Sequence, residues 1–370
     1  MRTALIHDWL TGMRGGERVL EGLCALYPGA DIFTLYHRRG SVSAAIECHR
    51  ITSSFIQRLP LAGRYYRQYL PFFPLAIEQF NLDAYELVIS SSHCAAKAVV
   101  TAGRARHLCY CHSPMRYAWD QFDVYFGPAR TGRVASRWVY RPIMARLARW
   151  DAATASRVHR FVANSSHVAA RIGRYYNRVA TIVYPPVDTV FFHPADVTPG
   201  RHFLIVSALV PYKRIELAMA ACERVGAPLR IVGDGPDRER LEARAGRTVE
   251  FLGRVSDEAV REEYRRALAV VLPGEEDFGI VPVEAQACGR PVVALARGGA
   301  LETVADGENG VLFDEPEIGA LAAALDRAAR QRFDPVAIRA HAQRFAREHH
   351  TQRMREVIDE TIAAPAGTRW

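Results

Sequence analysis

Two doubly wound α/β domains are the architecture this sequence predicts, and three observations carry that reading. Short apolar runs alternate with helical stretches along the whole chain, the pattern of buried parallel strands linked by crossover helices. A Pro-rich break, Pro185-Pro186 followed by the polar run at 192–200, divides the chain near its middle. The 370 residues are enough for two domains, each with its own core, facing across a cleft.

Composition narrows the function. No apolar run approaches the length of a membrane span, and residues 1–10 read as a strand, not as a signal peptide. The seven cysteines are an odd number without zinc-type spacing, so reduced thiols in a cytoplasmic protein are expected. Residues 1–190 carry 24 Lys and Arg against 12 Asp and Glu, whereas residues 191–370 carry 24 against 28. A basic front half calls for an anionic partner: acidic lipid, a pyrophosphate-linked lipid or nucleic acid. Only two of the 48 basic residues are lysines, Lys97 and Lys213, so a compact ammonium is a candidate requirement at both.

The elements are taken in chain order. Residues 2–7 form a first strand, with His7 and Asp8 at its end as candidate acceptor contacts. Gly15-Gly16 lies just ahead of a helix expected from Glu17 to about Tyr27, where glycines let the backbone approach a phosphate. Residues 53–80 mix Arg58, Arg64 and Arg67 with Tyr65, Tyr66, Tyr69, Phe72 and Phe73. Residues 130–149 repeat the mixture with Arg133, Arg137, Arg141, Arg146, Trp138 and Tyr140. Such segments suit a membrane interface, single-stranded nucleic acid, or a helix packed with its arginines outward. A strand at 87–90 precedes Lys97, expected about one turn into a helix. The strand at 108–111 runs into His112-Ser-Pro-Met-Arg-Tyr-Ala-Trp-Asp, where Arg116, Tyr117, Trp119 and Asp120 resemble a sugar-binding loop.

The second half opens with a strand at 202–208, the turn Leu-Val-Pro-Tyr-Lys-Arg and a helix from Ile215. A strand at 229–232 and a segment 250–253 come next, the latter leading into Arg254-Val255. Residues 269–299 form the most informative stretch: a buried strand (269–273), a polar loop (274–279), an Ala-rich helix (280–288) closed by Gly289, and a second buried run (291–295). Glu276 and Glu284 stand eight residues apart around the helix start. The amides of Gly279, Ile280 and Val281 are donors suited to an anion or to hydroxyls.

Glu276-Asp-Phe-Gly-Ile-Val-Pro-Val-Glu284 and the subsequent Ala-Gln-Ala-Cys-Gly-Arg-Pro resemble the donor segment of the retaining glycosyltransferases of family 4, which have the GT-B fold. The likeness extends over nearly the whole chain, and the loop after His112 resembles a mannosyltransferase-like branch. It implies an acceptor-binding domain at 1–187, a nucleotide-sugar-binding domain at 188–349, and a last helix, about 350–370, packing back on the first. It implies that Lys213, with Arg214, Gly15 and Gly16, meets the donor pyrophosphate, and that Arg254 and Val255 hold the nucleobase. Glu276 would orient the sugar and Glu284 the ribose, beside Phe278, Gly279, Ile280 and Val281. His112 would position the sugar, with Lys213 and Glu276 as its catalytic companions. The acceptor side falls to His7, Asp8, Arg116, Tyr117 and Trp119. Where the family usually carries Arg five residues before the lysine, this chain has Ala208, and Arg214 is the candidate replacement. There is no Asp-x-Asp, so no metal and no cofactor is expected. The expected reaction moves a hexosyl group, mannosyl from GDP-mannose, to a lipid-pyrophosphate-linked glycan in bacterial surface polysaccharide assembly. The enzyme would sit peripherally on the anionic cytoplasmic membrane and bind no nucleic acid. A UDP-sugar transferase, a nucleotide-sugar epimerase and a non-catalytic binder of membrane or nucleic acid are the alternatives.

Overall fold

The computed structural model describes residues 1–365 and 367–370. It divides into two compact units, Met1–Pro186 with Glu348–Trp370, and Val187–Arg347.

The first unit is built on seven parallel strands: β1 (Thr3–Leu10), β2 (Asp31–His37), β3 (Ile51–Ser53), β4 (Leu87–Ser92), β5 (Arg106–Cys111), β6 (Arg160–Ala163) and β7 (Ala180–Ile182). Their spatial order is β3-β2-β1-β4-β5-β6-β7. β1 and β4 are buried along their whole length because layers cover both faces of the sheet. One layer packs Leu5, Leu20, Leu23, Ile89 and Tyr110 with Met354, Val357 and Ile358 of the last helix, Arg347–Ala363. The other gathers Ile6, Trp9, Phe33, Tyr66, Phe73 and Met144. Tyr66 and Phe73, from the first basic aromatic segment, are therefore core residues, whereas Phe72 and Leu75 remain exposed.

The second unit carries β8 (Phe203–Val206), β9 (Leu229–Val232), β10 (Val249–Gly253), β11 (Ala269–Leu272), β12 (Val292–Leu295) and β13 (Gly310–Phe313). The spatial order is β10-β9-β8-β11-β12-β13, all parallel. In both sheets the order runs outward one way from the first strand and then reverses. This is the doubly wound Rossmann pattern, and the reversal points, β1/β4 and β8/β11, open crevices at the strands' carboxyl ends.

Lys97 sits in a short 3-10 turn, Ala96–Ala98, not inside an α-helix. Its buried ammonium donates to Thr154 Oγ1 at 3.1 Å, pairs with Asp151 Oδ1 at 3.0 Å and lies 4.6 Å from the Tyr176 ring centroid. This lysine serves the core, since a planar guanidinium would not fit so compact a set of partners.

Candidate active site

At the β1/β4 switch point, strand register places His7 opposite Ser91. β5, the next strand, ends at Cys111 and delivers His112 to the same edge. The Ser91 hydroxyl lies 3.1 Å from His7 Nδ1 and 2.8 Å from His112 Nε2, joining residues about a hundred positions apart. The first helix, Gly15–Leu26, starts against these rings and includes the glycine pair expected to precede it. A Cβ at Gly16 would come within 3.3 Å of His7 Cε1, a tight approach, and within 3.6 Å of His112 Nε2, an ordinary contact, so a side chain there would press on the His7 imidazole. Gly16 thus lets the start of the helix lie close against the histidines, with Gly15 directly before it.

Asp8 differs from its expected role. It is fully buried, and its carboxylate accepts four backbone amides, from His93, Cys94, Ala95 and Ala96, at 2.6–2.9 Å. It therefore anchors the loop after β4 and does not face an acceptor. The same carboxylate lies 3.1 Å from Nδ1 of His93, a residue that the sequence motifs did not single out. The signal for it was present: a histidine directly after an apolar strand, as at His112. The rings of His7, His93 and His112 form a triangle with centroids 6.2–6.5 Å apart. Burial, reinforced by His93 and His7, pushes His112 well below the usual imidazole range. Burial likewise lowers His93 despite the opposing charge of Asp8.

The loop after His112 is pinned inward. Tyr117 donates its hydroxyl to Cys94 Sγ at 2.7 Å. Trp119 donates its indole N–H to Asp151 Oδ2 at 2.8 Å and stacks on Tyr175 with centroids 4.6 Å apart. Asp120 pairs with Arg171 at 2.7 Å. The polar ends of Tyr117 and Trp119 are thus committed to the unit's interior, while both side chains stay partly exposed. Arg116 is half-buried.

The second unit assembles its site at the β8/β11 switch point. A 3-10 turn, Pro211–Lys213, comes after β8, and the loop after β11 carries Glu276. Lys213 Nζ donates directly to Glu276 Oε1, so sequence positions 63 apart meet at one point. Two close backbone approaches create this meeting. A Cβ on Gly274 would lie 2.4 Å from the Tyr212 carbonyl oxygen, and one on Gly298 would lie 2.2 Å from that of Glu276. Only glycine allows the Glu276 loop to lie between the lysine turn and the Gly298-Gly299 turn. The Gly299 amide then donates to the Glu276 carbonyl at 2.8 Å.

Gly279, at φ +85°, starts the helix Ile280–Ala287, whose first amides have no acceptors one turn earlier in the helix. Glu284 lies one turn into that helix, and the buried Tyr264 hydroxyl donates to its Oε2 at 2.9 Å. Phe278 is corrected: its ring is buried against Phe345, with centroids 5.5 Å apart, so it supports the loop from beneath. Arg254 comes directly after β10 and is exposed, and Val255 beside it is partly so. Arg214 lies in the left-handed region at φ +52°, exposed, and its guanidinium makes no ion pair among the described residues. Ala208 is exposed.

Two parallel α/β sheets with this strand order, each carrying polar groups at its switch point, are the architecture of a GT-B protein. The family profiles agree: "Glycosyltransferase Family 4" matches residues 13–191 and "Glycosyl transferases group 1" matches residues 190–349. The chain belongs to the family 4 glycosyltransferases. A D-inositol 3-phosphate glycosyltransferase of Geodermatophilus obscurus is 33% identical over 239 residues, 55% of this chain and 52% of that one. An uncharacterised glycosyltransferase of Methanocaldococcus jannaschii is 29% identical over 157 residues, 41% of this chain and 44% of that one. The chain spans about half the length of these curated relatives. Among solved structures, sucrose-phosphate synthase from Thermosynechococcus elongatus aligns with TM-score 0.71 at 20% identity, over 99% of this chain and 100% of that one. Anabaena HepE in complex with UDP aligns with TM-score 0.70 at 16% identity, over 97% of this chain and 100% of that one. These likenesses speak for the fold.

Proposed function

We propose that the chain is a retaining, nucleotide-sugar-dependent hexosyltransferase whose donor binds the second unit at the β8/β11 switch point. The observation that carries this reading is the Lys213–Glu276 pair. A diphosphate needs a cation and a donor sugar needs a hydrogen-bond acceptor for its hydroxyls, and this pair offers both at one place. Lys213 and the amides of Gly279, Ile280 and Val281 stabilise the departing diphosphate as charge develops on it. Glu276 turns to the sugar hydroxyls, and Glu284, oriented by Tyr264, takes the ribose. Arg254 and Val255 hold the base. In the first unit, His112 meets the transferred sugar, with the leaving phosphate accepting the proton of the attacking hydroxyl. The charge of Lys213 and the helix amides does the work that a bridging metal does elsewhere, so neither metal nor cofactor is needed.

The donor is GDP-mannose and the acceptor a lipid-pyrophosphate-linked glycan of bacterial surface polysaccharide. A UDP-hexose is the second reading for the donor, favoured by HepE, whose solved structures include one with UDP-glucose. No helix among the described residues is long and apolar enough to cross a membrane. The proposal places attachment to the cytoplasmic membrane on the first unit's surface. There Trp138 (68% exposed) and Val134 (74%) stand among the exposed Arg133, Arg137 and Arg141.

A thermal-shift panel of GDP, UDP, ADP and dTDP, with and without chelator, tests the donor. A stabilisation by GDP that survives the chelator supports the proposal, and a preference for UDP selects the second reading. No shift with any nucleotide overturns both.

A further inference from the structure

The group of side chains around Ser91 contains more than the donor and acceptor contacts assigned above. Its hydroxyl carries one proton yet lies within hydrogen-bond reach of two imidazole nitrogens, His7 Nδ1 at 3.1 Å and His112 Nε2 at 2.8 Å. Only one of the two nitrogens can accept that proton, so at least one must donate to the serine oxygen, and the two ring tautomers are linked. The far nitrogen of His7, Nε2, is sealed from solvent without a hydrogen bond. The nearest acid is Glu17, buried on the first helix, with Oε1 3.9 Å away.

We infer that Glu17 sets the tautomer of His112 through His7 and Ser91, so that His112 presents a bare Nδ1 to its ligand. A carboxylate facing Nε2 favours a proton there and disfavours a lone pair. His7 Nδ1 is then the acceptor and takes the Ser91 proton. The serine oxygen in turn accepts from His112 Nε2–H. His112 Nδ1 is left as an acceptor and is not among the sealed polar atoms of the described residues.

Burial works to raise the Glu17 pKa, but the facing His7 ring outweighs it, and the net shift is downward, which keeps the carboxylate ionised. The other groups facing the pair fit this arrangement. His93 is fixed by Asp8 at 3.1 Å, Tyr110 packs its ring 5.1 Å from His112, and His350, also neutral through burial, donates Nδ1–H to the Tyr184 carbonyl at 2.7 Å. A neutral imidazole with its lone pair outward accepts from a hydroxyl and has no proton to offer a phosphate. This deepens the proposed transferase reading, on which it rests: the first unit's switch point selects a sugar hydroxyl, with Glu17, His7 and Ser91 as positioning residues for His112.

The first test uses the unliganded full chain, so its outcome does not depend on the transferase reading. Long-range 15N spectra of histidine-labelled protein at pH 7, assigned through His7→Gln and His112→Gln, should show protonated Nε2 and bare Nδ1 in both rings. A proton on Nδ1 of either ring overturns the inference. The second test measures transfer by Glu17→Gln, Ser91→Ala and the double variant. Each single change should lower kcat about tenfold with the donor KM unchanged, and the double should be no worse than the singles, because one linked unit is broken either way. Multiplying losses, or wild-type kcat in either single variant, would overturn it. The nucleotide thermal shift, read at the second unit, should be the same in all four proteins; its absence from the wild type would refute the donor site and leave the ring measurement standing.

Discussion

The two units share a strand order and place their sites at equivalent switch points, yet the sites are chemically opposite. The first presents three histidines held by buried carboxylates and a serine, with His112 and His93 kept neutral by burial. The second presents an ion pair, Lys213–Glu276, whose side chains are 19% and 15% exposed, beside a helix N-terminus. The sheets cannot account for the difference, because they are alike. It comes from the residues at and just beyond the strands' carboxyl ends: His7, Asp8 and Ser91 within β1 and β4 with His93 and His112 directly after β4 and β5, against glycine-braced turns after β8 and β11. A neutral, acceptor-rich site suits hydroxyls, and a cation beside helix amides suits a diphosphate. The proposed division of labour between acceptor and donor rests on that contrast.

The sharpest way to break the comparison is to remove the cation. Lys213→Ala should lower kcat/KM by about 10²–10³-fold, the scale seen when a charge-stabilising donor is taken from a transition state. Folding should change little, because a partly exposed ion pair contributes only about 0–1 kcal/mol. Steady-state kinetics with a melting curve on the same sample separate the two effects. A kcat/KM within about threefold of wild type would remove the functional distinction between the units, since transition-state stabilisation on this scale is far larger. Lys213→Arg should rescue poorly, since a planar fork does not replace a compact ammonium between the Tyr212 turn and the Glu276 loop.

That site was legible in the sequence because its parts are local: a lysine at the end of a strand-turn, two glutamates around a helix start, glycines at the breaks. The first unit's site was legible only in fragments. His7 and His112 stood out at strand ends, but what joins them is the lateral register of β1, β4 and β5, and nothing near residue 7 announces residue 91 or 112. Glu17 read as the first residue of a helix, although the helix begins two residues earlier and turns that side chain inward. The aromatic residues show the same dependence on distant partners. Trp119 and Tyr117 look like sugar platforms by type, yet Asp151, Tyr175 and Cys94, all distant in sequence, hold their polar tips and one indole face while leaving both side chains partly exposed. Among strands, β2 was hidden by polar residues at both ends and by Thr34 within it. The Thr34 hydroxyl is satisfied by the Tyr36 carbonyl at 3.4 Å, which lets it be buried.

Acid sensitivity should divide the units as well, with a smaller effect. In the first unit, burial lowers His107 to about 3 and His350 to about 4, below the ordinary value of 6.5. As pH falls through 6.5, the unfolded chain takes up protons that the folded unit refuses, so stability present above 6.5 is lost towards pH 4. Each such histidine costs about 1.4 kcal/mol per pH unit, or roughly 2 kcal/mol by pH 5. The second unit's lowered histidines, His202 and His341, are only partly buried and should weigh less. Melting curves at pH 7 and pH 5 for wild type and His350→Gln check this. The wild type should lose more of its melting temperature than the variant, and equal losses would remove His350 from the account.

The finest distinction lies within the second unit, between Lys213 and its neighbour. Both are positive and adjacent, but the chain turns through the left-handed region at Arg214, φ +52°, which separates an engaged ammonium from a guanidinium without an ion pair among the described residues. If Arg214 supplies the charge missing at Ala208, it does so across solvent, where a pair contributes about 0.2–1 kcal/mol. Arg214→Ala should therefore weaken nucleoside diphosphate binding by no more than about fivefold, and added salt should erase most of the difference. Titration calorimetry at low and high ionic strength measures it. A salt-insensitive loss of about a hundredfold, well beyond what a solvated pair contributes, would mean that the arginine folds onto the diphosphate on binding, making the pyrophosphate clamp two residues wide. No loss at all would leave Lys213 and the helix amides to hold the diphosphate by themselves.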